Sequence, residues 1–210
     1  MKGIKTQFVT SAVEAGGFPK ESLPELAMVG RSNVGKSSLI NALVRQTLAR
    51  TSAAPGKTRL ANFYRVDADG RPPFFLVDLP GYGYARGGDT ARAAFDQLAA
   101  DYFAAGRGAT LLLVDSRHPG LDADHRAWTW LVDHGVTCHV VATKLDKLTQ
   151  AERRRHVAEL EDRYSGPVTG VSAHTGEGLE ALWTEITTLL RQPPPLHPSR
   201  PSPRPSTSRR

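Results

Sequence analysis

The sequence predicts an α/β protein of three layers: a mostly parallel sheet of about six strands, with one antiparallel hairpin strand, carrying helices on both faces. Three observations lead there. A glycine-rich turn separates an apolar run from a helical pattern between residues 26 and 44, two β-like segments lie close enough to form a hairpin, and apolar runs alternate with helical patterns from residue 110 onward.

Ahead of residue 26 stand one strand-like stretch, Gln7-Phe8-Val9-Thr10-Ser11, and a turn at Gly16-Gly17-Phe18-Pro19 that leads to Leu23-Pro24. They carry little chemistry and read as an N-terminal extension over about residues 1–22. Leu26-Ala27-Met28-Val29 is a wholly apolar run that enters Gly30-Arg31-Ser32-Asn33-Val34-Gly35-Lys36-Ser37, and Ser38-Leu39-Ile40-Asn41-Ala42-Leu43-Val44 follows as a helix. Glycine, four residues, then Gly-Lys-Ser is the pattern of a P-loop. Glycines let the backbone curl until several N–H groups converge on one anion, and the new helix adds the positive end of its dipole. Lys36 is placed to reach the β- and γ-phosphates of a nucleotide, and the Ser37 hydroxyl to ligate magnesium. The alternative, a tight turn before a core helix, is disfavoured by the strand, turn and helix order.

Residues 45–62 are small, polar and rich in Gly and Pro, too long and irregular for an ordinary connection, and read as a functional loop. Residues 63–67 and 74–78 are β-like, and the short link Ala68-Asp69-Gly70-Arg71-Pro72-Pro73 suits an antiparallel hairpin. Strands are then expected at 110–115, 137–143 and 167–172, and helices at 90–105, 122–134, 149–164 and 177–191. Leu179, Leu182, Trp183, Ile186 and Leu190 form one stripe of the last helix and are core. Trp128 and Leu131 fit the buried face of the helix from Asp122, with Trp130 turned aside. After Arg191 the composition turns to Pro, Ser, Thr and Arg. Residues 192–210 can bury almost nothing and are expected to be a disordered basic tail, either an inert solubilising segment or an electrostatic contact for RNA or another polyanion.

The 210 residues suit one domain plus that tail, with a core large enough to need no disulfides. The single cysteine, Cys138, sits in an apolar run and reads as a reduced, buried packing residue of a cytosolic protein. Net charge is +6, but removing the four tail arginines leaves +2 for the body. No apolar run approaches the ~18 residues of a membrane span, and Met1-Lys2-Gly3-Ile4-Lys5 lacks a signal peptide's apolar core. A cytoplasmic protein with no membrane contact is expected, and the seven histidines form no short metal-ligand spacing.

Three further elements fall at expected strand ends. Asp78-Leu79-Pro80-Gly81 closes the hairpin's second strand about 40 residues after Lys36, where a carboxylate holds the magnesium shell and the glycine N–H senses a γ-phosphate. Thr143-Lys144-Leu145-Asp146 ends the next-to-last strand. The Asp146 carboxylate can accept two hydrogen bonds from the N1–H and N2–H₂ edge of guanine, a donor pair adenine does not offer, so it selects GTP. The Lys144 stem can lie along the base plane and support the P-loop. Ser172-Ala173-His174 ends the last strand, where backbone N–H groups can meet the guanine O6.

In this order the elements resemble a translation-factor-type small GTPase of the TrmE-Era-EngA-EngB-Septin-like group. More narrowly, the run from Gly30 through Asn41, Pro55-Gly56-Lys57-Thr58, Asn62-Phe63-Tyr64, Asp78-Leu79-Pro80-Gly81-Tyr82-Gly83-Tyr84-Ala85, Asp115-Ser116-Arg117-His118-Pro119 and Thr143-Lys144-Leu145-Asp146 resemble the bacterial EngB (YihA/YsxC) GTPases. The resemblance covers roughly residues 5–191. It implies a P-loop GTPase fold over residues 1–191 and a monomeric, magnesium-dependent enzyme that slowly hydrolyses GTP to GDP and phosphate. It further implies a role in assembly of the large (50S) ribosomal subunit, with rRNA contact, and in normal cell division and septation. Carried onto this chain, the nucleotide site comprises Gly30, Arg31, Ser32, Asn33, Val34, Gly35, Lys36, Ser37, Ser38, Gly56, Lys57, Thr58, Arg59, Leu60, Asp78, Leu79, Pro80, Gly81, Thr143, Lys144, Leu145, Asp146, Val171, Ser172 and Ala173. Lys36, Thr58, Gly81 and Asn33 are its catalytic group. Ser37, Thr58 and, behind them, Asp78 are its magnesium residues. Thr143 stands where asparagine is common among GTPases, which implies looser tethering of guanine and P-loop.

Ras-like enzymes place a glutamine after the glycine matched by Gly81 to orient water, but this chain has Tyr82, and a phenol cannot do that job in that place. Asn33 matches a position that ligates potassium in related GTPases; the alternative is an Asn tolerated in a turn. Arg86 and Arg92 are either fingers in cis, polyanion contacts or solvated surface. Arg153-Arg154-Arg155 reads as a solvated helix face rather than an RNA patch, and Asp115 and Arg117 as fixing the turn after their strand. Two other readings stay open: a nucleotide-dependent RNA- or ribosome-binding factor with negligible turnover, and an ATP-using P-loop enzyme, against which Asp146 argues.

Overall fold

The computed structural model describes residues 3–49, 60–82, 97–104 and 108–191. Its strands are β1 (Ile4–Ala12), β2 (Glu25–Gly30), β3 (Ala61–Ala68), β4 (Phe74–Asp78), β5 (Gly108–Asp115), β6 (Cys138–Thr143) and β7 (Val168–Gly170). They form one sheet in the order β1-β3-β4-β2-β5-β6-β7. β3 runs antiparallel to both its neighbours, with Asn62 opposite Asp78 and Ile4 opposite Ala68, while β4, β2, β5, β6 and β7 pair in parallel. The helices are α1 (Lys36–Val44), α2 (described over residues 97–104), α3 (Asp122–Asp133), α4 (Gln150–Tyr164) and α5 (Leu179–Arg191).

All six residues of β2 are buried, as a parallel strand covered on both faces requires. Its alternation sorts the layers. Leu26 and Met28 face one core with Leu39, Ile40 and Leu43 of α1 and Leu182, Trp183 and Ile186 of α5. Ala27 and Val29 face the other, with Leu98 and Tyr102 of α2, Leu131 of α3 and Leu160 and Tyr164 of α4. The α5 stripe lies as its period predicts, with Leu179 and Leu190 packed at the margin and Leu189 added to the buried set.

Three details depart from the expectations. Seven strands are described rather than about six, because β1 adds to the edge of the hairpin. It packs with one side only, shows a register shift between Phe8 and Thr10, and sets Phe8 edge-on to Tyr64. Trp130 is not turned aside: its ring lies 5.7 Å from Phe103 and 4.0 Å from His134. The periodicity of α3 could not show this, since Phe103 comes from α2 on the flank of α3. Cys138 is half-buried rather than buried, although burial of its thiol still pushes the pKa up to about 12.

The turns are specified locally. Thr149 and Glu152 cap α4 reciprocally, the Thr149 hydroxyl accepting from Glu152 N–H and the Glu152 carboxylate accepting from Thr149 N–H, an arrangement worth about 1 kcal/mol. Gly178 enters α5 at φ +75°, with room for no side chain: a Cβ there would stand 2.0 Å from the Gly170 carbonyl oxygen. Residues 192–210, expected to be a disordered tail, lie outside the described residues. Among the described residues no helix is long and apolar enough to cross a membrane.

Candidate nucleotide-binding site

The C-terminal ends of β2, β4, β6 and β7 bring the four sequence elements to one edge of the sheet, where parallel α/β sheets place their ligands. The loop after β2 is held open by its packing. A Cβ at Gly30 would meet Val34 Cγ1 at 2.9 Å and the Leu113 carbonyl oxygen at 3.0 Å, so only glycine lets the chain turn there. Asn33 (φ +65°) and Gly35 (φ +106°) take left-handed conformations, which brings the loop round to α1. The Asn33 side chain is exposed, and its backbone has the turn geometry that Asn tolerates. Helix α1 starts at Lys36 with no side-chain cap, so the N–H groups of its first turn, those of Lys36, Ser37 and Ser38, are presented for an anion.

Lys36 is buried, and its ammonium donates to Asp78 Oδ1. Asp78 is itself 3% exposed and is followed by buried Leu79, then Pro80 and Gly81. Gly81 lies against the loop so closely that a Cβ would stand 2.9 Å from Ser32 N. Ser37 is half-buried beside Lys36, and its hydroxyl, like the Asp78 carboxylate, is a hard oxygen donor. Of the other expected members, Leu60 is described and half-buried, whereas Gly56, Lys57, Thr58 and Arg59 lie outside the described residues, as do Arg86 and Arg92.

The segment after β6 is tied to the loop at two points. The Thr143 hydroxyl sits 2.7 Å from the Val34 carbonyl oxygen and 3.1 Å from that of Val114, and Lys144 Nζ donates to the Asn33 carbonyl at 2.7 Å. Thr143 therefore makes a tether to the P-loop directly despite its smaller hydrogen-bonding inventory. Lys144, at φ +64°, also donates to Asp115 Oδ2, while Arg117 holds both Asp115 oxygens. Burial by itself raises the Asp115 pKa, but the Arg117 and Lys144 hydrogen bonds outweigh it and hold the carboxyl well below the usual carboxylate range. Asp115 thus anchors the lysine as well as the turn.

Leu145 and Asp146 follow in a single 3₁₀ turn, with Leu145 N–H donating to the Val171 carbonyl. The Ser172 hydroxyl donates to Asp146 Oδ1 at 2.8 Å, and this bond, more than any other influence, lowers the Asp146 pKa. Val171 and Ser172 are buried and Ala173 is half-buried beside them. The sequence placed Ser172 for its backbone; its side chain's hold on Asp146 was invisible until the two strand ends met.

Two partners were missed altogether. Asn41 in α1 receives Leu48 N–H and Ala49 N–H on its side-chain oxygen and donates back to the Ala49 carbonyl, fixing the start of the loop that leaves α1. Asp124 in the first turn of α3 receives Arg31 Nε and Tyr82 Oη, each at 2.9 Å, so the Arg31 guanidinium is held at the start of α3. An acidic residue in a first helical turn has an ordinary electrostatic reason to be there, and the sequence held no signal for a second one.

Residues 25–144 match the family model described as "50S ribosome-binding GTPase". A probable GTP-binding protein EngB of Solibacter usitatus is 42% identical over 194 residues, which cover 91% of this chain and 99% of that protein. The chain belongs to the EngB family. A second EngB relative, from Lacticaseibacillus casei, is 46% identical over 183 residues, 83% of this chain and 89% of its own length. Among solved structures, a probable GTP-binding protein engB superposes with a TM-score of 0.62 at 22% identity, over 80% of this chain and 98% of that one. Era in complex with MgGDPNP and a 16S ribosomal RNA segment gives 0.72 at 22% identity, over 84% of this chain and 60% of Era. At those identities the structural likeness bears on the fold, which is that of the P-loop GTPases.

Proposed function

We propose that this EngB-family chain binds GTP and GDP with magnesium, hydrolyses GTP slowly, and acts as a nucleotide-dependent switch in assembly of the 50S subunit, supporting normal cell division and septation through that role. The observation that carries the guanine assignment is the double tie from Thr143 and Lys144 to the loop at Val34 and Asn33, with Asp146 aimed by Ser172. It couples a base-reading carboxylate rigidly to the phosphate cradle. Gly30 to Ser38 hold the phosphates, Asp146 reads the base edge, and the backbone of Val171, Ser172 and Ala173 closes on the guanine O6. Gly56 to Leu60 and Leu79 to Gly81 border the γ-phosphate. Ser37 and Thr58 would hold magnesium, with Asp78 behind its water shell; the ion supplies positive charge to the phosphate oxygens.

Binding exchanges partners. Lys36 leaves Asp78 for the phosphates, and Asp78 turns to the metal shell, so the two buried charges found paired here would each find a new counter-charge. Gly81 N–H and Thr58 report the third phosphate, and loops 45–61 and 79–92 respond to it. Labelled GDP should be displaced by unlabelled GTP at concentrations within about 10-fold of those at which GDP itself competes, and by ATP only at concentrations at least about 100-fold above those of GTP; displacement by ATP as readily as by GTP would overturn the guanine reading. Co-sedimentation with 50S particles and their precursors, with GDP or a non-hydrolysable GTP analogue and with or without residues 192–210, tests the ribosomal part and any rRNA contact through the tail. Loss of all nucleotide dependence would remove the switch.

One observation favours the reading in which turnover is negligible. Position 82 carries a phenol, bonded in this structure through its hydroxyl to Asp124, and has no side-chain amide to orient a water. Asn33 as a potassium ligand would supply the missing charge beside the β- and γ-phosphates. On that reading the GTPase rate in KCl exceeds that in NaCl of equal ionic strength by about 10-fold. Equal rates would leave Asn33 as a turn residue.

A further inference from the structure

Asp124 is 1% exposed, and it lies outside every motif that carries the nucleotide site. One of its oxygens, Oδ1, takes both the Tyr82 hydroxyl and Arg31 Nε, each at 2.9 Å. These two donors come from opposite walls of a seam. Arg31 belongs to the phosphate loop, and Tyr82 follows the glycine that closes Asp78-Leu79-Pro80-Gly81. The backbones are joined along the same seam: Tyr82 N–H donates to the Gly30 carbonyl at 3.3 Å, Ser32 N–H donates to the Tyr82 carbonyl at 3.1 Å, and Arg31 and Tyr82 form a parallel bridge. Gly81 is the residue that permits this approach, since any Cβ would crowd Ser32 N, Oγ and Cα at 2.9 to 3.1 Å.

We propose that Asp124 is the positioning residue of a latch that clasps Tyr82 to Arg31, holds Gly81 against the front of the phosphate loop, and thereby favours the nucleoside diphosphate over the triphosphate. The inference rests on the guanine-nucleotide reading above. A diphosphate occupies the cradle behind Gly81, formed by the loop and the start of α1, and leaves the seam closed. A third phosphate held between the loop and Gly81 N–H must part Gly81 from Ser32, which breaks the two backbone hydrogen bonds and draws Tyr82 from Asp124. The carboxylate is not stranded when that happens, because Arg31 belongs to the loop and stays with it. Its second oxygen, Oδ2, is buried with no hydrogen-bond partner among the described residues, so the guanidinium can meet both oxygens once Tyr82 has left. A buried carboxylate with a single donor would resist opening; one with a retained cation can release the other donor. The position of Asp124 in the first turn of α3, with its N–H on the Leu121 carbonyl, adds the helix dipole to that support.

The measurement is the ratio of dissociation constants for a non-hydrolysable GTP analogue and for GDP, both with magnesium, in the full chain and in its Tyr82→Phe and Asp124→Asn variants. Tyr82→Phe removes only the hydroxyl and keeps the ring that packs against the core. In both variants loss of the latch lowers the ratio about 10-fold, the factor equivalent to one hydrogen bond to a charged group. A ratio within twofold of the parent in Tyr82→Phe would overturn the proposal. Equal weakening of both nucleotides in both variants would also overturn it, since that marks a general structural role. Failure of the parent chain to bind either guanine nucleotide would instead sink the reading on which the latch rests.

Discussion

Lys36→Ala weakens GDP and GTP binding by about 100-fold or more in equilibrium titration, because it removes the lysine of the Gly-x₄-Gly-Lys-Ser pattern and its charge-assisted bonds to the phosphates. The variant also shows a second effect. Lys36 is the counter-ion of Asp78, and both side chains are under 10% exposed. Removing the cation alone leaves a buried carboxylate unpaired, which lowers the stability of the nucleotide-free protein by about 3 kcal/mol. Adding Asp78→Asn separates the two: the double variant regains much of the unfolding free energy in urea but none of the nucleotide affinity. If Lys36→Ala kept the parent's affinity for both nucleotides, the cradle assignment would fail, however stable the protein proved.

Asp146→Asn exchanges an acceptor-only carboxylate for an amide. Guanine offers two donors at N1 and N2, and the amide can satisfy one of them while presenting its own NH₂ to the other. The expected result is a loss of about 10³-fold in GTP affinity, with a gain for xanthosine triphosphate, whose carbonyl at C2 accepts from the new amide. Ser172 sharpens the expectation. Its hydroxyl donates to Asp146 Oδ1 and is the largest influence holding the carboxyl in its charged form. An asparagine side-chain oxygen can keep the Ser172 bond, which fixes the orientation of the amide toward the base. Competition of a labelled guanine nucleotide by GTP and XTP reads the change, and unchanged GTP preference would remove Asp146 from base recognition.

Asp146 meets the base, which the diphosphate and the triphosphate share, so it sets the affinity for both alike. The proposed discrimination between the two nucleotides arises on the side of Gly81, where the seam to Ser32 is closed.

The order of elements and most of the residues proposed for the site could be read from local patterns in the chain. Strand, glycine turn and helix at residues 26–44 follow from local conformational rules, and so do the hairpin and the α5 stripe, since each depends on residues close in the chain. The roles proposed for Lys36, Asp78 and Asp146 were legible because phosphate and guanine chemistry call for such groups, the lysine at the start of α1 and the two carboxylates at or just past strand ends. Tertiary structure alone decided the contacts between segments distant in sequence. The Phe103 ring covers Trp130 from a separate helix, Thr143 reaches across 109 positions to Val34, and Arg31 reaches across 93 to Asp124. Periodicity reports which face of an element is buried but not which neighbour buries it, and an isolated Asp in a first helical turn satisfies a local rule whether or not it serves a distant one. The latch therefore became visible only once the sheet had brought the ends of β2 and β4 and the start of α3 to the same corner.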